Sequence, residues 1–193
     1  VPLDLNISLK VGSVKQFGQY GGVSYEVQAK MWDEFFDIDL PYTEKKYLSH
    51  IGSENHENDM RDALNFSYSQ VAPHVAKSLS SEKIGKFFKA VNFHMTRNEN
   101  PVYLVQLDDK GRAIQYDTNK LANKMKNITF SSKLEKSGDL PKMSICTLID
   151  GKEEVFLDIR VKRGEYLKDG TPYYRNIFEK GKSFTNLLSK IIS

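Results

Sequence analysis

Apolar and polar positions alternate strictly at the start of the chain. Leu3, Leu5, Ile7, Leu9 and Val11 take one set of positions, and Asp4, Asn6, Ser8 and Lys10 take the other. That is the period-2 pattern of a strand with one apolar face. Gly12, Gly18, Gly21 and Gly22 then punctuate a polar stretch that reads as a loop. From residue 23 to 36 the period lengthens. Val23, Val27, Met31 and Phe35 recur at helical spacing, with Trp32 and Phe36 widening the stripe, which predicts an amphipathic helix bounded by Pro41. Thr43 is placed to cap a short helix over residues 43–51. The tract 52–59 is polar and reads as a loop. Residues 60–79 read as a helix with an irregularity at Pro73, and Ser80-Ser81-Glu82 open another through Phe87, Phe88 and Phe93.

The second half of the chain changes period. Residues 102–107 and 112–116 flank Asp108-Asp109-Lys110-Gly111, a hairpin signature. A stronger one joins residues 143–149 to 154–162 through Asp150-Gly151, a favoured two-residue turn between alternating segments. Between the hairpins, residues 119–136 are rich in Lys and Asn and read as a short helix and an exposed loop. Residues 175–192 carry Ile177, Phe178, Phe184, Leu187, Leu188 and Ile191, and read as a closing helix broken near Gly181. Strands early and late with helices between predict an α+β class: a mixed sheet, an α-rich middle segment and a C-terminal β-hairpin, in one domain over residues 1–193. Because the chain starts at Val1 without Met, the expectation is that it was processed or that it is the C-terminal part of a longer polypeptide.

Composition supplies the core. The 11 Phe and 10 Tyr offset a hydrophobic share of 39%. No run approaches the ~18 apolar residues of a membrane span, and no basic-then-apolar leader opens the chain. The single Cys146 sits within the 143–149 alternation as core filler, so these features together point to the reducing cytoplasm. Net charge is +3 with pI ≈ 8.7, so the distribution of charge rather than its sum decides on partners.

That distribution is uneven. Along residues 155–162, Phe156, Asp158, Arg160 and Lys162 share one strand face, opposite Val155, Leu157, Ile159 and Val161. Arg163, Lys168, Arg175, Lys180 and Lys182 follow, interleaved with Tyr166, Tyr173 and Tyr174. Cations among aromatics suit phosphate contact and base stacking. Arg160, Lys162, Arg163, Arg175 and Lys182, with Lys15 in the glycine stretch, are therefore the nucleic-acid-binding candidates, and DNA is the expected partner. A solvated edge strand with gatekeeping charges carries similar residues. Lys120, Lys124, Lys126, Lys133 and Lys136 form a second lysine-rich stretch, which reads as an exposed face or, beside the first patch, as an extension of a groove.

Other chemistries find little footing. His50, His56, His74 and His94 lack zinc-ligand spacing. No Gly-x-Ser-x-Gly occurs, and in Lys180-Gly181-Lys182-Ser183 the first glycine of a phosphate loop is replaced by Asn176.

The opening strand presents Asp4, Asn6, Ser8 and Lys10 on one face and runs into a stretch bearing Gln16 and Gln19, followed by a helix. This order resembles the PD-(D/E)XK nuclease superfamily, the restriction-endonuclease-like fold, over about the first 36 residues. The resemblance implies an α/β nuclease core in which Lys10 is the catalytic lysine and Ser8 occupies the position of a metal-binding acid. It also implies that Asp4 binds Mg2+ and that Gln16 or Gln19 positions backbone or water, the partner aspartate lying upstream of Val1 or being replaced by Asp4. Metal-assisted hydrolysis is the chemistry of such a site, so the implied activity is that of a Mg2+-dependent DNA endonuclease, restriction-like or phage-type. Ser8 offers a hydroxyl where a carboxylate holds Mg2+ better. The competing reading is a non-catalytic DNA-binding or assembly domain that keeps the nuclease-like fold. A second copy of the chain, as a homodimer, is a further candidate partner; a membrane is not.

Overall fold

The computed structural model describes residues 16–51, 56–96, 103–107, 112–168, 170 and 172–192 of the chain. The elements run β1 (Gln16–Gly21), α1 (Tyr25–Phe36), α2 (Glu44–Leu48), α3 (His56–Leu79), α4 (Ile84–Thr96), β2 (Tyr103–Leu107), β3 (Ala113–Asp117), α5 (Thr118–Met125), β4 (Phe130–Ser137), β5 (Leu140–Ile149), β6 (Lys152–Arg163), β7 (Tyr174–Lys180) and α6 (Phe184–Ile192). The α+β class expected from the pattern is the one that forms.

Local chemistry sets the helix ends. Ser24 caps α1, accepting from Val27 N–H at 3.3 Å, and Thr43 caps α2, accepting from Lys46 N–H at 3.3 Å. Asp37 ends α1 in the left-handed region at φ 53°. Its carboxylate receives Lys83 and Lys86, each at 2.8 Å, and these hydrogen bonds hold its pKa down to about 2. α3 runs unbroken through Pro73, which lies on the exposed side, where water can satisfy the carbonyl that proline leaves unbonded. The stripe Leu64, Tyr68, Val71, Val75 and Leu79 is fully buried on the other side. α3 also begins earlier than the polar tract suggested, at His56.

Five strands form one sheet in the order β1-β7-β6-β5-β4, and β2 pairs with β3 as a separate ribbon. Every ladder among the described residues is antiparallel, where a mixed sheet was expected. Tight turns account for β4, β5 and β6, since such a connection can join only antiparallel neighbours. At Asp150-Gly151 both residues have positive φ, 52° and 76°, as the anticipated two-residue hairpin turn requires.

Three segments take forms the periodicity concealed. Residues read as a glycine loop form β1, and Gly18 is small because a Cβ there would stand 3.0 Å from the Phe35 ring. Part of the lysine-rich loop is β4, an edge strand whose exposure removes the apolar alternation. The first part of the expected closing helix is β7. Ile177 and Phe178 are successive and both buried although they point to opposite faces of the sheet, so neither a period-2 nor a helical stripe shows in the sequence.

The helices pack on one face of the sheet. Phe35 stacks on Phe178 with ring centroids 4.1 Å apart, and Trp32 meets Tyr68 edge-on at 5.3 Å. The Tyr68 hydroxyl donates to Asn176 Oδ1 at 3.0 Å, and Asn176 Nδ2 donates to Gly22 O at 3.3 Å, so the one buried amide of β7 is satisfied from two elements. β6 carries a bulge. Ile145 stands opposite Leu157 and Cys146 opposite Val155, leaving Phe156 without a partner on β5. The bulge turns both Phe156 and Leu157 into the core. Phe156 therefore stacks on Phe184 at 4.9 Å, instead of sharing the polar face with Asp158 as strict alternation had placed it. Gly181 fits against this bulge, where a Cβ would lie 2.1 Å from Val155 O; this close approach accounts for the glycine of the Lys-Gly-Lys-Ser run.

Candidate nucleic-acid interface

The face of the sheet away from the helices is charged, and its charges follow the register. Directly opposite residues on antiparallel strands share a face. Lys142 stands opposite Arg160, Ser144 opposite Asp158, and Asp158 opposite Glu179. Along the middle of the sheet these groups neutralise one another. Lys142 lies 3.1 Å from Glu135 and 3.4 Å from Asp158, Arg160 lies 2.9 Å from Glu179, and Lys133 lies 2.7 Å from Glu153. Ser144 Oγ completes the lattice by donating to Asp158 Oδ1 at 2.6 Å.

Toward the β6–β7 loop the compensation stops. Lys162 stands opposite Arg175, and Arg175 opposite Gly21. Lys162 is exposed and Arg175 half-buried, and neither has an ion pair among the described residues. Like charges directly opposite destabilise a ladder by roughly the 0.2–1 kcal/mol that opposite charges would contribute. An anion held between the two side chains would relieve that repulsion.

Tyrosines lie against Arg175 and against Arg163, the residue after Lys162. The Arg175 guanidinium lies 5.4 Å from the Tyr173 ring centroid, and the Arg163 guanidinium 4.7 Å from that of Tyr166. Tyr173 lies over Gly21: a Cβ there would fall 1.6 Å from its hydroxyl, so glycine is what lets the ring reach Arg175. Arg163 is also bound from below, 2.9 Å from Glu57 at the start of α3. Burial alone would raise the Glu57 pKa, but Arg61 and Arg163 outweigh it and keep the carboxyl below its ordinary value. Arg163 is thus anchored by a carboxylate, whereas Lys162 and Arg175 have none within ion-pair distance among the described residues.

The residues expected to carry function divide accordingly. Lys162 and Arg175 come together as a directly opposed pair, whereas Arg163, opposite Tyr174 and tied to Glu57 of α3, lies on the helix-covered face of the sheet. Arg160 shares the face of the Lys162–Arg175 pair but is tied to Glu179. Lys182 stands beyond the far end of β7, separated from Arg175 by a strand length on the order of 20 Å, and does not join the cluster. Gln16 lies on β1, outermost among the described strands, opposite Glu179, and its amide donates to Gln19 Oε1 at 3.0 Å. Asp4, Ser8, Lys10 and Lys15 lie outside the described residues. Two contributors escaped the sequence reading. Glu57 is 106 residues from Arg163 and nothing local signals the contact, whereas Gly21 was visible only as a turn residue.

Among the described residues no group of three or more His, Cys, Asp or Glu is placed to hold a metal ion. Cys146 is buried, and burial pushes its thiol up to about 11, far from a reactive thiolate. His50 stacks on Phe66 at 4.1 Å. Among the described residues no helix is long and apolar enough to cross a membrane. In comparisons with known proteins, the chain matches no family model, no curated protein and no solved structure.

Proposed function

We propose that this protein binds DNA through the β6–β7 end of its sheet, with Lys162 and Arg175 contacting phosphates and the Arg175–Tyr173 stack beside them. The observation that supports this most is the Lys162–Arg175 pair, without an ion-pair partner among the described residues, on a face whose other described charges are matched. Contacts of this kind are to the backbone, so binding is salt-dependent and weakly selective for sequence. The buried, unreactive thiol fits residence in the reducing cytoplasm.

The test is binding of a fluorescently labelled duplex, followed by anisotropy. Replacing both Lys162 and Arg175 with Ala is expected to weaken binding by at least tenfold, about 1.4 kcal/mol. Lys182→Ala, at the other end of β7, is expected to change it less than twofold. Equal effects from the two variants would remove this end of the sheet as the interface.

Hydrolysis is the second reading. It rests on the Asp4, Ser8 and Lys10 alternation leading into β1, with Lys10 as the group that activates water. Under it, the chain nicks supercoiled plasmid when Mg2+ is present and loses at least a hundredfold in rate on Lys10→Ala. Plasmid left intact by the natural chain, together with salt-sensitive binding, identifies a DNA-binding domain without cleavage.

A further inference from the structure

β4 pairs with β5 on one side only, and among the described residues no strand occupies its other edge. An open edge presents unpaired N–H and C=O groups to whatever strand can match it. Ser131 and residues 133–137 are exposed, Leu134 at 46%.

The order along this edge is Ser131-Ser132-Lys133-Leu134-Glu135-Lys136-Ser137. Two copies related by a two-fold axis perpendicular to the sheet pair antiparallel about a residue, not between residues, since opposite positions must share a face. Centred on Leu134, that arrangement sets Lys133 against Glu135 of the second copy and Glu135 against its Lys133. It also places leucine against leucine and Ser131 against Ser137. The neighbouring registers fail: centring on Lys133 opposes two lysines, and centring on Glu135 opposes two glutamates. Both charged side chains are already held on the outer face, Lys133 by Glu153 at 2.7 Å and Glu135 by Lys142 at 3.1 Å. Pairing would therefore continue the charge lattice of one sheet into the other.

From this self-complementarity we infer that β4 is a self-association edge, joining the five-stranded sheets of two copies into one continuous antiparallel sheet in the register centred on Leu134. The occupant is a second copy of this chain. A foreign strand has no reason to match the Lys-x-Glu order, whereas a second copy matches it by symmetry. The inference does not depend on DNA binding, and its test uses no DNA.

Sedimentation equilibrium of the full chain is expected to show a mass rising with concentration from 22.1 kDa toward twice that value. Lys133→Glu and Glu135→Lys are each expected to remain monomeric over the same range. The first variant brings only carboxylates to positions 133 and 135, and the second only amines. Mixed in equal amounts, they are expected to form a one-to-one dimer, because both cross-strand pairs are then opposite in charge. Restored dimerisation on mixing also shows that each variant is folded. A natural chain that stays monomeric throughout overturns the inference, as do single variants that dimerise like the natural chain or a mixture that does not associate.

Discussion

Tyr173 reaches Arg175 only because residue 21 has no side chain, and this dependence makes the interface testable at a single atom. A methyl at position 21 would meet the tyrosine hydroxyl at 1.6 Å. The clashing atom is the tip of a flexible side chain, so the ring moves and the strand does not. Gly21→Ala is expected to leave unfolding stability within about 1 kcal/mol of the natural chain while weakening DNA binding roughly fivefold, the value of one exposed cation–π contact. Urea unfolding and anisotropy measured on the same sample check the two halves. At this scale the sequence was partly legible. The basic and aromatic residues after Arg160 stood out by type, but which of them stay uncompensated depended on partners such as Glu57 and Glu179, supplied by other elements. Asp4, Ser8 and Lys10 remain known by pattern alone.

Element by element, legibility followed burial. Helices α1 and α4 and the hairpins β2–β3 and β5–β6 each carry an apolar period or turn signal of their own, and they formed where the pattern placed them. β4 has no such period because it is an edge. β7 hides its own because Asn176 occupies a fully buried position, satisfied by Tyr68 and Gly22. β1 was masked by glycines whose reason is the rings that pack against them. α3 shows the opposite case, a helix that survives its proline because its buried stripe holds it. Pro73→Ala is expected to raise its stability, adding about 2 kcal/mol to the unfolding free energy once the greater freedom of the unfolded alanine chain is subtracted. An upward shift of the urea midpoint with an unchanged m-value checks this. A downward shift would mean that Pro73 contributes packing not apparent from its exposure.

As a whole, the molecule divides its labour between the two faces of one sheet. One face holds the aromatic core under the helices; the other carries a lattice of matched charges that opens, at the β6–β7 end, into two cations with no ion pair among the described residues. The net charge of +3 is too small to indicate this, since it averages a neutral lattice with a positive end. The same lattice reaches β4 at the opposite edge, where its Lys-x-Glu order can continue into a second copy. The distinction between a phosphate-binding end and a merely basic loop lies in how binding responds to salt. The most direct measurement is therefore the slope of log Kd against log salt concentration for a duplex, compared between the natural chain and the Lys162→Ala/Arg175→Ala variant. Loss of two phosphate contacts predicts that the slope falls by about 1.8, roughly 0.9 per contact. Identical slopes, with affinity unchanged, would contradict DNA binding at this end of the sheet.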